Sequence, residues 1–310
     1  MQLALMTEPH LGMTYQTMLD LARFADRSGL AAFARSDHYA TARMPGLHTL
    51  DAFATLAGLA RETSRVELVV LVTPITFRHP AVIAKVAATL DEMSMGRFVL
   101  GVGTGWNEHE HDRFGIPFPD LSERFSRLEE ALEYLSHALG RKHGAFHGAH
   151  YALDGAAVEP QAPNLRIIVG GAGDRRTPRL AGTYGDEYNI TLRPDSDIPL
   201  RIARAREAAE HAQRDPGALR FSVMCDVIVG TTEADFRRNL AREATDDPWN
   251  STPEQIEAHH RERGFPFGTA EEARHRLAEL ETLGVSRLYV QRFGGFEPGM
   301  LEETFGILRA

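Results

Sequence analysis

Residues 68–118 restrict the possible folds more than any other stretch, because a strand pattern stands on each side of a helix pattern. The parts follow one another as an apolar run (68–72), Thr73-Pro74, a helical pattern (80–93), a second apolar run (98–102) and Gly103-Thr104-Gly105. Polar and glycine residues therefore come directly after each strand. In parallel α/β proteins ligands bind at the carboxyl ends of strands, so this pattern predicts a site as well as a sheet.

The same alternation of strand and helix continues along the chain. Strand patterns are found at residues 2–6, 30–34, 68–72, 98–102, 165–169, 187–191, 221–229 and 285–292. Helical patterns are found at residues 15–28, 49–62, 80–93, 119–139, 177–184, 199–214, 269–283 and 298–308, with a polar helical stretch at 231–263. Eight strands that alternate with helices favour an α/β fold of the (β/α)8 TIM barrel type over a doubly wound sheet.

One segment breaks this alternation. Residues 143–163 contain several glycines, two prolines and one short Tyr-Ala-Leu-Asp-Gly sequence. We predict a single barrel domain over residues 1–310, with an insertion at about 143–163 near the barrel mouth. The chain length is compatible with this fold, since barrels with insertions commonly exceed ~250 residues.

Composition and charge argue against several classes of function. A formal charge of −9 argues against nucleic acid as a partner, because such binding depends on neutralising phosphates. No apolar run approaches the ~20 residues needed to cross a bilayer, and the first residues lack the pattern of a secretory signal. Cys225 is the single cysteine, which excludes an internal disulfide. We therefore expect a cytoplasmic protein that acts on a small-molecule substrate, without a membrane partner.

An ionisable pair, Asp37-His38, follows the second strand pattern. A histidine titrates near neutral pH and can exchange protons with a substrate, and a carboxylate can orient a ligand hydroxyl or ring nitrogen. The same pair is also compatible with a helix N-cap beside a surface histidine. On position alone, the two interpretations carry equal weight.

Two glycine-rich segments follow other strands. In Gly103-Thr104-Gly105-Trp106-Asn107 the backbone can approach a ligand closely, and the hydroxyl and amide side chains can donate to it. Asn107 is equally suited to cap a helix. Gly170-Gly171-Ala172-Gly173 precedes a helix whose amino-terminal amides attract phosphate, and its alternative is a tight turn. Its spacing differs from that of a dinucleotide fingerprint.

Several histidines raise the question of a metal site. They are His109, His111, His143, His147 and His150. His109 and His111 are two positions apart and do not share a helical face, and the others lie in a loop without a fixed carboxylate partner. We expect no metal site.

Taken together, these segments resemble the luciferase-like monooxygenase superfamily, and within it the branch of oxidoreductases that use the deazaflavin coenzyme F-420. The resemblance is carried by Ser36-Asp37-His38 and by residues 73–111, 114–132 and 170–189, which stand in the expected order. It implies a barrel that binds a flavin-type ring at the strand ends. It also implies a homodimer.

The resemblance implies roles for individual residues. His38 corresponds to the active-site histidine of the deazaflavin-dependent sugar-phosphate dehydrogenases, and a non-prolyl cis peptide bond is expected within residues 70–72. The residues implied to bind the cofactor are Asp37 and Thr73, then Thr104, Gly105 and Asn107 for ring and ribityl groups, and Gly170, Gly171, Ala172 and Gly173 for the phosphate. The chain departs from those dehydrogenases at Trp106, where they carry a glutamate directly after Thr-Gly.

The predicted function is hydride transfer between coenzyme F-420 and a small organic substrate, with His38 handling a proton. Glu8, His10, Tyr39 and Trp106 are predicted on the substrate side. One alternative is an FMN-dependent monooxygenase that uses dioxygen and reduced flavin from a partner reductase. A deazaflavin has carbon at the ring position where flavins react with dioxygen, so the cofactor decides between hydride transfer and oxygen chemistry. A second alternative is a barrel that binds a flavin without turnover.

Overall fold

The structure is a computed structural model and describes residues 1–41, 47–155, 158–194, 196–293 and 297–309. Within these residues the strands are β1 (Gln2–Thr7), β2 (Ala32–Arg35), β3 (Glu67–Pro74), β4 (Phe98–Gly103), β5 (Phe146–His147), β6 (Ala152–Leu153), β7 (Arg166–Gly171), β8 (Glu187–Thr191), β9 (Arg220–Asp226), β10 (Ile228–Gly230), β11 (Phe267–Thr269) and β12 (Arg287–Arg292). The helices of the same residues are α1 (Tyr15–Arg27), α2 (Ala52–Glu62), α3 (Pro80–Ser94), α4 (Glu108–Phe114), α5 (Leu121–Ala138), α6 (Arg176–Tyr184), α7 (Ile198–His211), α8 (Glu233–Asp246), α9 (Pro253–Arg263), α10 (Ala270–Thr282) and α11 (Pro298–Arg309). In this described part of the chain no helix is long and apolar enough to cross a membrane.

Eight parallel strands of the described residues close into one barrel. Their order around the barrel is β1, β2, β3, β4, β7, β8, β9 and β12. The barrel closes where β12 pairs with β1, from Gln2 opposite Arg287 to Thr7 opposite Arg292. This arrangement confirms the predicted (β/α)8 barrel, and the shared strand direction puts all eight carboxyl ends on one face.

Side-chain caps determine where several helices begin. The carboxylate of Asp120 accepts the N–H of Glu123 at 2.9 Å directly before α5, and Thr269 and Glu272 form a capping box at the start of α10. Such a cap pairs a backbone donor that the helix itself leaves unpaired, and it contributes about 1 kcal/mol. The helices predicted at 119–139 and 269–283 are confirmed, with ends shifted by one or two residues.

The strand predicted at 221–229 is wrong in its second half. β9 ends at Asp226, and β10 leaves the barrel and pairs in parallel with β11. The carboxylate of Asp226 accepts the N–H of Val227 at 2.8 Å, a donor that a continuing strand would give to its neighbour. The barrel pairing therefore stops at this residue, although the apolar run continues.

A charged cluster joins α8 and α9 to the strand ends of β9 and β12. Asp226 lies 3.2 Å from Nε2 of His260, and Arg292 pairs with both Asp226 (3.7 Å) and Glu243. Nδ1 of His260 bonds the carbonyl of Ile256 at 2.8 Å. Both ring nitrogens of His260 thus lie beside acceptors, and Arg292 lies between Asp226 and Glu243.

The predicted insertion contains a β-hairpin formed by β5 and β6. Its backbone N–H groups at residues 149–151 donate to the carboxylate of Glu130 on α5. Its Tyr151 ring lies 5.2 Å from the ring of His79, which precedes α3 on the mouth side. The hairpin thus packs on the outside of α3 and α5, with Tyr151 beside the start of α3. Residues 156 and 157 of the insertion lie outside the described residues.

The core has an inner and an outer layer. Side chains within the barrel form one cluster of Ala4, Met6, Ala32, Ala34, Val69, Leu71, Val99, Ile168 and Tyr289. The alternate residues of the same strands, such as Leu3 and Leu5, pack outwards against the helices. Strands buried on both faces have nearly continuous apolar sequences, which is why apolar runs predict them.

Charged side chains at the strand starts occupy the opposite end of the barrel. Arg287 of β12 lies 2.8 Å from Glu67 of β3 and 3.3 Å from Glu187 of β8, and it donates to Gln2 of β1 at 2.9 Å. Arg166 of β7 bonds the same Glu67 at 2.6 Å. The Arg287 side chain is only 1% exposed, so its end of each pair is buried, and the pairs link strands from across the barrel.

Candidate active site

Four neighbouring strands bring most of the predicted site residues to one edge. The residues at these ends are Glu8 and His10 after β1, Asp37, His38 and Tyr39 after β2, Thr73 in β3, and Thr104, Gly105, Trp106 and Asn107 after β4. The remaining candidates lie at the end of β7, the next strand along from β4. Parallel pairing therefore assembles residues that are far apart in sequence.

The imidazole of His38 is held from one side. Its Nδ1 lies 2.9 Å from Oε1 of Glu110, a buried residue of α4, and the other carboxylate oxygen accepts the N–H of Tyr39 at 2.9 Å. A carboxylate only accepts hydrogen bonds, so this contact favours a proton on Nδ1 of His38. Nε2 bonds none of the described residues.

The surroundings of His38 favour its protonated form. Burial by itself lowers the pKa of this histidine, but the hydrogen bond and the charge of Glu110 raise it, and Glu8 and Asp37 act in the same direction. The net effect is a raised pKa. His38 therefore keeps its positive charge to a higher pH than a free histidine does.

Two aromatic side chains flank His38. The ring of His10 lies 4.8 Å from it, and the indole of Trp106 lies 5.5 Å away in an edge-on arrangement. Trp106 is 75% exposed, so its ring is open to contact with a ligand. Burial, followed by the nearby charge of His38, lowers the pKa of His10 to about 3, and His10 is neutral at pH 7.

Glu8 adds a buried acceptor to this group. Its Oε1 accepts a hydrogen bond from Nε2 of Gln291 at 2.5 Å. Its Oε2 lies 3.4 Å from Nδ1 of His10, and within the described residues both atoms are buried without a hydrogen-bond partner. Buried polar atoms are normally paired, so these two atoms fit a polar group of a ligand.

Arg78, which the sequence interpretation missed, binds two of the predicted cofactor residues. It forms an ion pair with Asp37 and donates to the hydroxyl of Thr73 at 3.2 Å, and it also pairs with Asp51 at 2.6 Å. Asp37 and Thr73 are both buried. Their side chains thus serve an internal ion-pair network, and their contact with a cofactor stays a prediction.

The Tyr39 ring lies apart from the rings around His38. It stacks on Phe77 at 4.3 Å, and the guanidinium of Arg78 lies 5.4 Å from its centre. The backbone N–H of Tyr39, by contrast, is part of the Glu110 contact. A role for the Tyr39 ring on the substrate side stays a prediction.

A bulge in β3 places Val72 against the inner core of the barrel. The peptide bond between Leu71 and Val72 is cis, which confirms the expected non-prolyl cis bond within residues 70–72. A Cβ on Gly103 of β4 or on Gly170 of β7 would lie 2.9 Å from a methyl group of Val72. These glycines therefore make room for Val72, and a phosphate contact of Gly170 stays a prediction.

Hydrogen bonds to backbone carbonyls hold the loop after β4. The carbonyl of Gly105 accepts from Arg124 of α5 at 2.7 Å and from the hydroxyl of Thr104 at 3.3 Å. Gly105 has a φ of 76°, which favours glycine. Asn107 is the N-cap of α4 by position, but its side chain makes no capping bond and its carbonyl accepts from His111 at 2.8 Å. The roles of Thr104, Gly105 and Asn107 toward a cofactor stay predictions.

The loop after β7 leads into the first turn of α6. A Cβ on Gly173 would lie 2.7 Å from the hydroxyl oxygen of the buried Thr177. The carbonyl of Ala172 accepts from Arg201 of α7 at 3.1 Å, and Arg201 also pairs with Asp174. Backbone amides at a helix start suit a phosphate, so the loop fits this group. The phosphate role of Gly171, Ala172 and Gly173 stays a prediction.

Glu110 and Arg78 were both missed because their importance comes from tertiary contacts. Glu110 stands between His109 and His111, which raise the question of a metal site, and within residues 73–111, which carry the family resemblance. Its signal was weak: it lies three residues after Asn107, at the start of a helix that leads away from a strand end. Arg78 stands two residues before α3, and its partner Asp37 is 41 positions away.

Fold and site together define an enzyme-type (β/α)8 barrel. One face carries a histidine with a carboxylate partner, buried polar atoms that lack partners among the described residues, and a glycine-rich loop before a helix. A sequence model of the luciferase-like monooxygenase family matches residues 1–287. The chain belongs to this family.

Named relatives share about a third of the aligned residues. An F420-dependent glucose-6-phosphate dehydrogenase of Gordonia bronchialis is 32% identical over 246 residues, which are 77% of this chain and 71% of that protein. Another, of Kineococcus radiotolerans, is 34% identical over 208 residues, 65% of this chain and 60% of that protein. The pyrimidine monooxygenase RutA of Escherichia coli is 32% identical over 187 residues, 58% of this chain and 51% of that protein. The matches thus cover between about half and just under three quarters of the length of each of these relatives.

Solved structures share the fold over the whole chain. An F420-dependent secondary alcohol dehydrogenase in complex with an F420-acetone adduct has a TM-score of 0.79 at 20% identity, and the match covers 100% of this chain and 99% of that chain. The monooxygenase RslO1 from Streptomyces bottropensis has a TM-score of 0.80 at 21% identity, with 100% and 97% covered. At these identities the likeness shows the fold.

Proposed function

We propose that this chain is an oxidoreductase that uses coenzyme F-420 and exchanges a hydride with a small organic substrate. The observation that carries the proposal is the His38 ring at the strand ends, which is held at Nδ1 by Glu110 and has no partner at Nε2 among the described residues. The relatives named as F420-dependent dehydrogenases support the choice of cofactor.

The cofactor residues of the proposal lie at the carboxyl ends of β2, β3, β4 and β7. A bound deazaflavin ring would supply the hydride acceptor or donor. The residues proposed to hold it are Asp37, Thr73, Thr104, Gly105 and Asn107 near the ring and ribityl groups, and Gly170, Gly171, Ala172 and Gly173 near the phosphate. The glycine-rich loop before α6 offers backbone amides at a helix start, which supports the proposed contact with the phosphate of the cofactor.

His38 is the proposed catalytic residue for the proton. When an alcohol is oxidised and its carbon loses a hydride, Nε2 of His38 accepts the hydroxyl proton. In the reverse direction Nε2–H donates to the carbonyl oxygen. His10 does not compete for this proton near neutral pH, because its pKa is about 3.

The proposed substrate contacts are Glu8, His10, Tyr39 and Trp106. Oε2 of Glu8 and Nδ1 of His10, which have no hydrogen-bond partner among the described residues, support a polar group of the substrate beside them. The exposed indole of Trp106 supports an apolar or planar portion of the substrate near His38. This combination favours a small organic molecule with one reacting hydroxyl or carbonyl and a second polar group.

Cofactor binding tests the proposal directly. Purified protein is melted alone, with coenzyme F-420 and with FMN, the two ligands at the same concentration. A ligand that binds only the folded state and is present at about one hundred times its dissociation constant adds about 2.7 kcal/mol, which raises the melting temperature by roughly 5 °C or more. Stabilisation by F-420, followed by substrate-dependent bleaching of its visible absorption, is the expected result. Stabilisation by FMN without any effect of F-420 would rule the proposal out.

An FMN-dependent monooxygenase is the second candidate. The similarity to the pyrimidine monooxygenase RutA supports it. It requires dioxygen and reduced flavin, for which a partner reductase is proposed. Oxygen consumption with reduced FMN and a candidate substrate separates it from hydride transfer.

We also propose the homodimer that the family resemblance implies. Sedimentation of the same preparations tests this oligomeric state.

A further inference from the structure

Glu110 reaches the barrel mouth from α4 with both carboxylate oxygens engaged. Oε1 lies 2.9 Å from Nδ1 of His38, and Oε2 lies 2.9 Å from the backbone nitrogen of Tyr39. The side chain is 1% exposed. One buried carboxylate therefore binds both a side chain and the adjacent backbone of the segment that follows β2.

Glu110 contacts the edge of the imidazole that carries Nδ1, whereas the proposed proton transfer uses Nε2. Nδ1 and Nε2 belong to different edges of the ring, so a carboxylate that holds Nδ1 cannot also touch a group bound at Nε2. Glu110 thus acts on the reaction through His38. This differs from a second acid placed beside the substrate.

We propose that Glu110 is a positioning residue, which holds His38 as the Nδ1–H tautomer and presents Nε2 to the substrate. The sugar-phosphate dehydrogenases carry a glutamate directly after Thr-Gly, whereas here Trp106 occupies that place and the acid lies on α4. A single proton-transfer group, His38, then faces the substrate. The effect on turnover rests on the proposed function, but the tautomer and charge of His38 do not.

Glu110, through its hydrogen bond and then its charge, is the main influence that opposes the effect of burial on the pKa of His38. The groups that face the ring are Glu110 from α4, Glu8 and His10 after β1, and the adjacent Asp37. Asp37 is already paired with Arg78, and His10 is neutral at pH 7. Burial lowers the pKa of His38, and the hydrogen bond and charge of Glu110 are the largest opposing effects. Loss of that charge therefore lowers the pKa of His38.

Nuclear magnetic resonance of the full chain without cofactor tests the inference. Histidine side chains are labelled with ¹⁵N, and the His38 signals are assigned with His38→Gln. In the wild type the neutral ring is expected as the Nδ1–H tautomer. In Glu110→Gln the apparent pKa falls by about one unit or more, a tenfold loss of proton affinity. Glu108→Gln, at an exposed position on the same helix, is the matched control and leaves the titration unchanged.

A titration of Glu110→Gln that superimposes on the wild type would overturn the inference. So would a neutral wild-type ring with its proton on Nε2. Glu110→Asp provides a second variant, because it keeps the charge and lengthens the contact, and an intermediate pKa is expected. Circular dichroism and melting curves confirm that each variant is folded before it is titrated.

Turnover provides a second readout if the proposed activity is found. Glu110→Gln is expected to lower kcat about 10- to 100-fold and to move the acidic limb of the kcat/KM profile to lower pH, with cofactor stabilisation unchanged. An unchanged kcat and pH profile would remove the catalytic part of the inference. The titration decides the positioning role even if F-420 does not bind, so failure of the proposed function and failure of this inference are distinguishable.

Discussion

The two nitrogens of His38 have different surroundings, and this difference matters at the scale of single residues. Nδ1 is bound to a buried carboxylate, and Nε2 bonds none of the described residues. His10, only 4.8 Å away, has the opposite character because burial keeps it neutral. Two neighbouring histidines thus have pKa values that are shifted in opposite directions, and such shifts cluster at functional sites.

Replacement of His38 tests its proton role. His38→Gln retains a polar side chain but removes the titrating group. Its kcat with a hydride substrate is expected to fall about 10²- to 10⁴-fold, the usual contribution of a general acid or base. His109→Gln, an exposed position on α4, is the control and keeps wild-type activity. Equal stabilisation of all three proteins by cofactor separates chemistry from binding. An active His38→Gln would mean that the proton moves elsewhere.

His10 makes the folded state sensitive to acid. Its pKa falls from 6.5 in the unfolded chain to about 3 on folding, so between these values the unfolded chain binds a proton that the folded chain does not. The contribution of His10 to the free energy of unfolding is therefore fully present above pH 6.5 and decreases as the pH falls through this range. Down to pH ~4.5 the loss from this residue is roughly 2 to 3 kcal/mol.

His10→Phe should remove that part of the acid sensitivity. Urea denaturation at pH 6.5 and at pH ~4.5 gives the free energy of unfolding of each protein under both conditions. The variant is expected to lose roughly 2 to 3 kcal/mol less than the wild type on acidification. Equal losses in the two proteins would show that His10 is protonated in the folded state.

At the scale of secondary-structure elements, β3 and β4 are coupled through one side chain. Gly103→Ala would place a methyl group 2.9 Å from Val72 and 3.2 Å from the carbonyl oxygen of Gly170. A destabilisation of about 1–3 kcal/mol is expected from this overpacking. Val72→Ala in the same chain should relieve part of it.

A double-mutant cycle in urea measures that coupling. The expected interaction free energy between positions 72 and 103 is about 1 kcal/mol or more. Gly306→Ala is the control, because a Cβ there meets no atom within 4 Å, and alanine in a helix adds stability. Strict additivity of the two substitutions would show that the side chains do not compete for space.

The elements differ in how far the sequence predicts them. Barrel strands were predictable because they are buried on both faces, and β8 has the bounds that were predicted, 187–191. Periodicity does not specify which sheet an apolar run joins, so β10 was merged with β9. In the site, His38 was predictable from its strand end. Glu110 was not, because α4 brings it to His38 from 72 positions away.

At the scale of the whole molecule, the two ends of the barrel divide their tasks. The carboxyl ends of the strands carry the candidate site, and the opposite end carries the buried network around Arg287. This network connects β12 to β1, β3 and β8, which are strands on both sides of the closure. It therefore contributes to closure of the barrel without contacting the site.

Arg287→Met should destabilise the whole barrel. The substitution leaves Glu187, which is 3% exposed, with less compensation for its charge, and breaking a buried pair typically costs about 3–5 kcal/mol. Arg23→Met removes an ion pair whose side chains are both 43% exposed, and it should cost less than about 1 kcal/mol. Unfolding free energies in urea give both values. A loss for Arg287→Met as small as that for Arg23→Met would mean that the network is not needed for closure.

The contact of Val72 with Gly103 and Gly170 also limits how this barrel mouth can be redesigned. A library that randomises position 103 or 170 alone would return glycine, because any larger residue meets Val72. Larger residues become acceptable only after position 72 has been reduced to alanine or glycine. The order of substitutions, as well as their identity, therefore decides which mouth shapes directed evolution can reach.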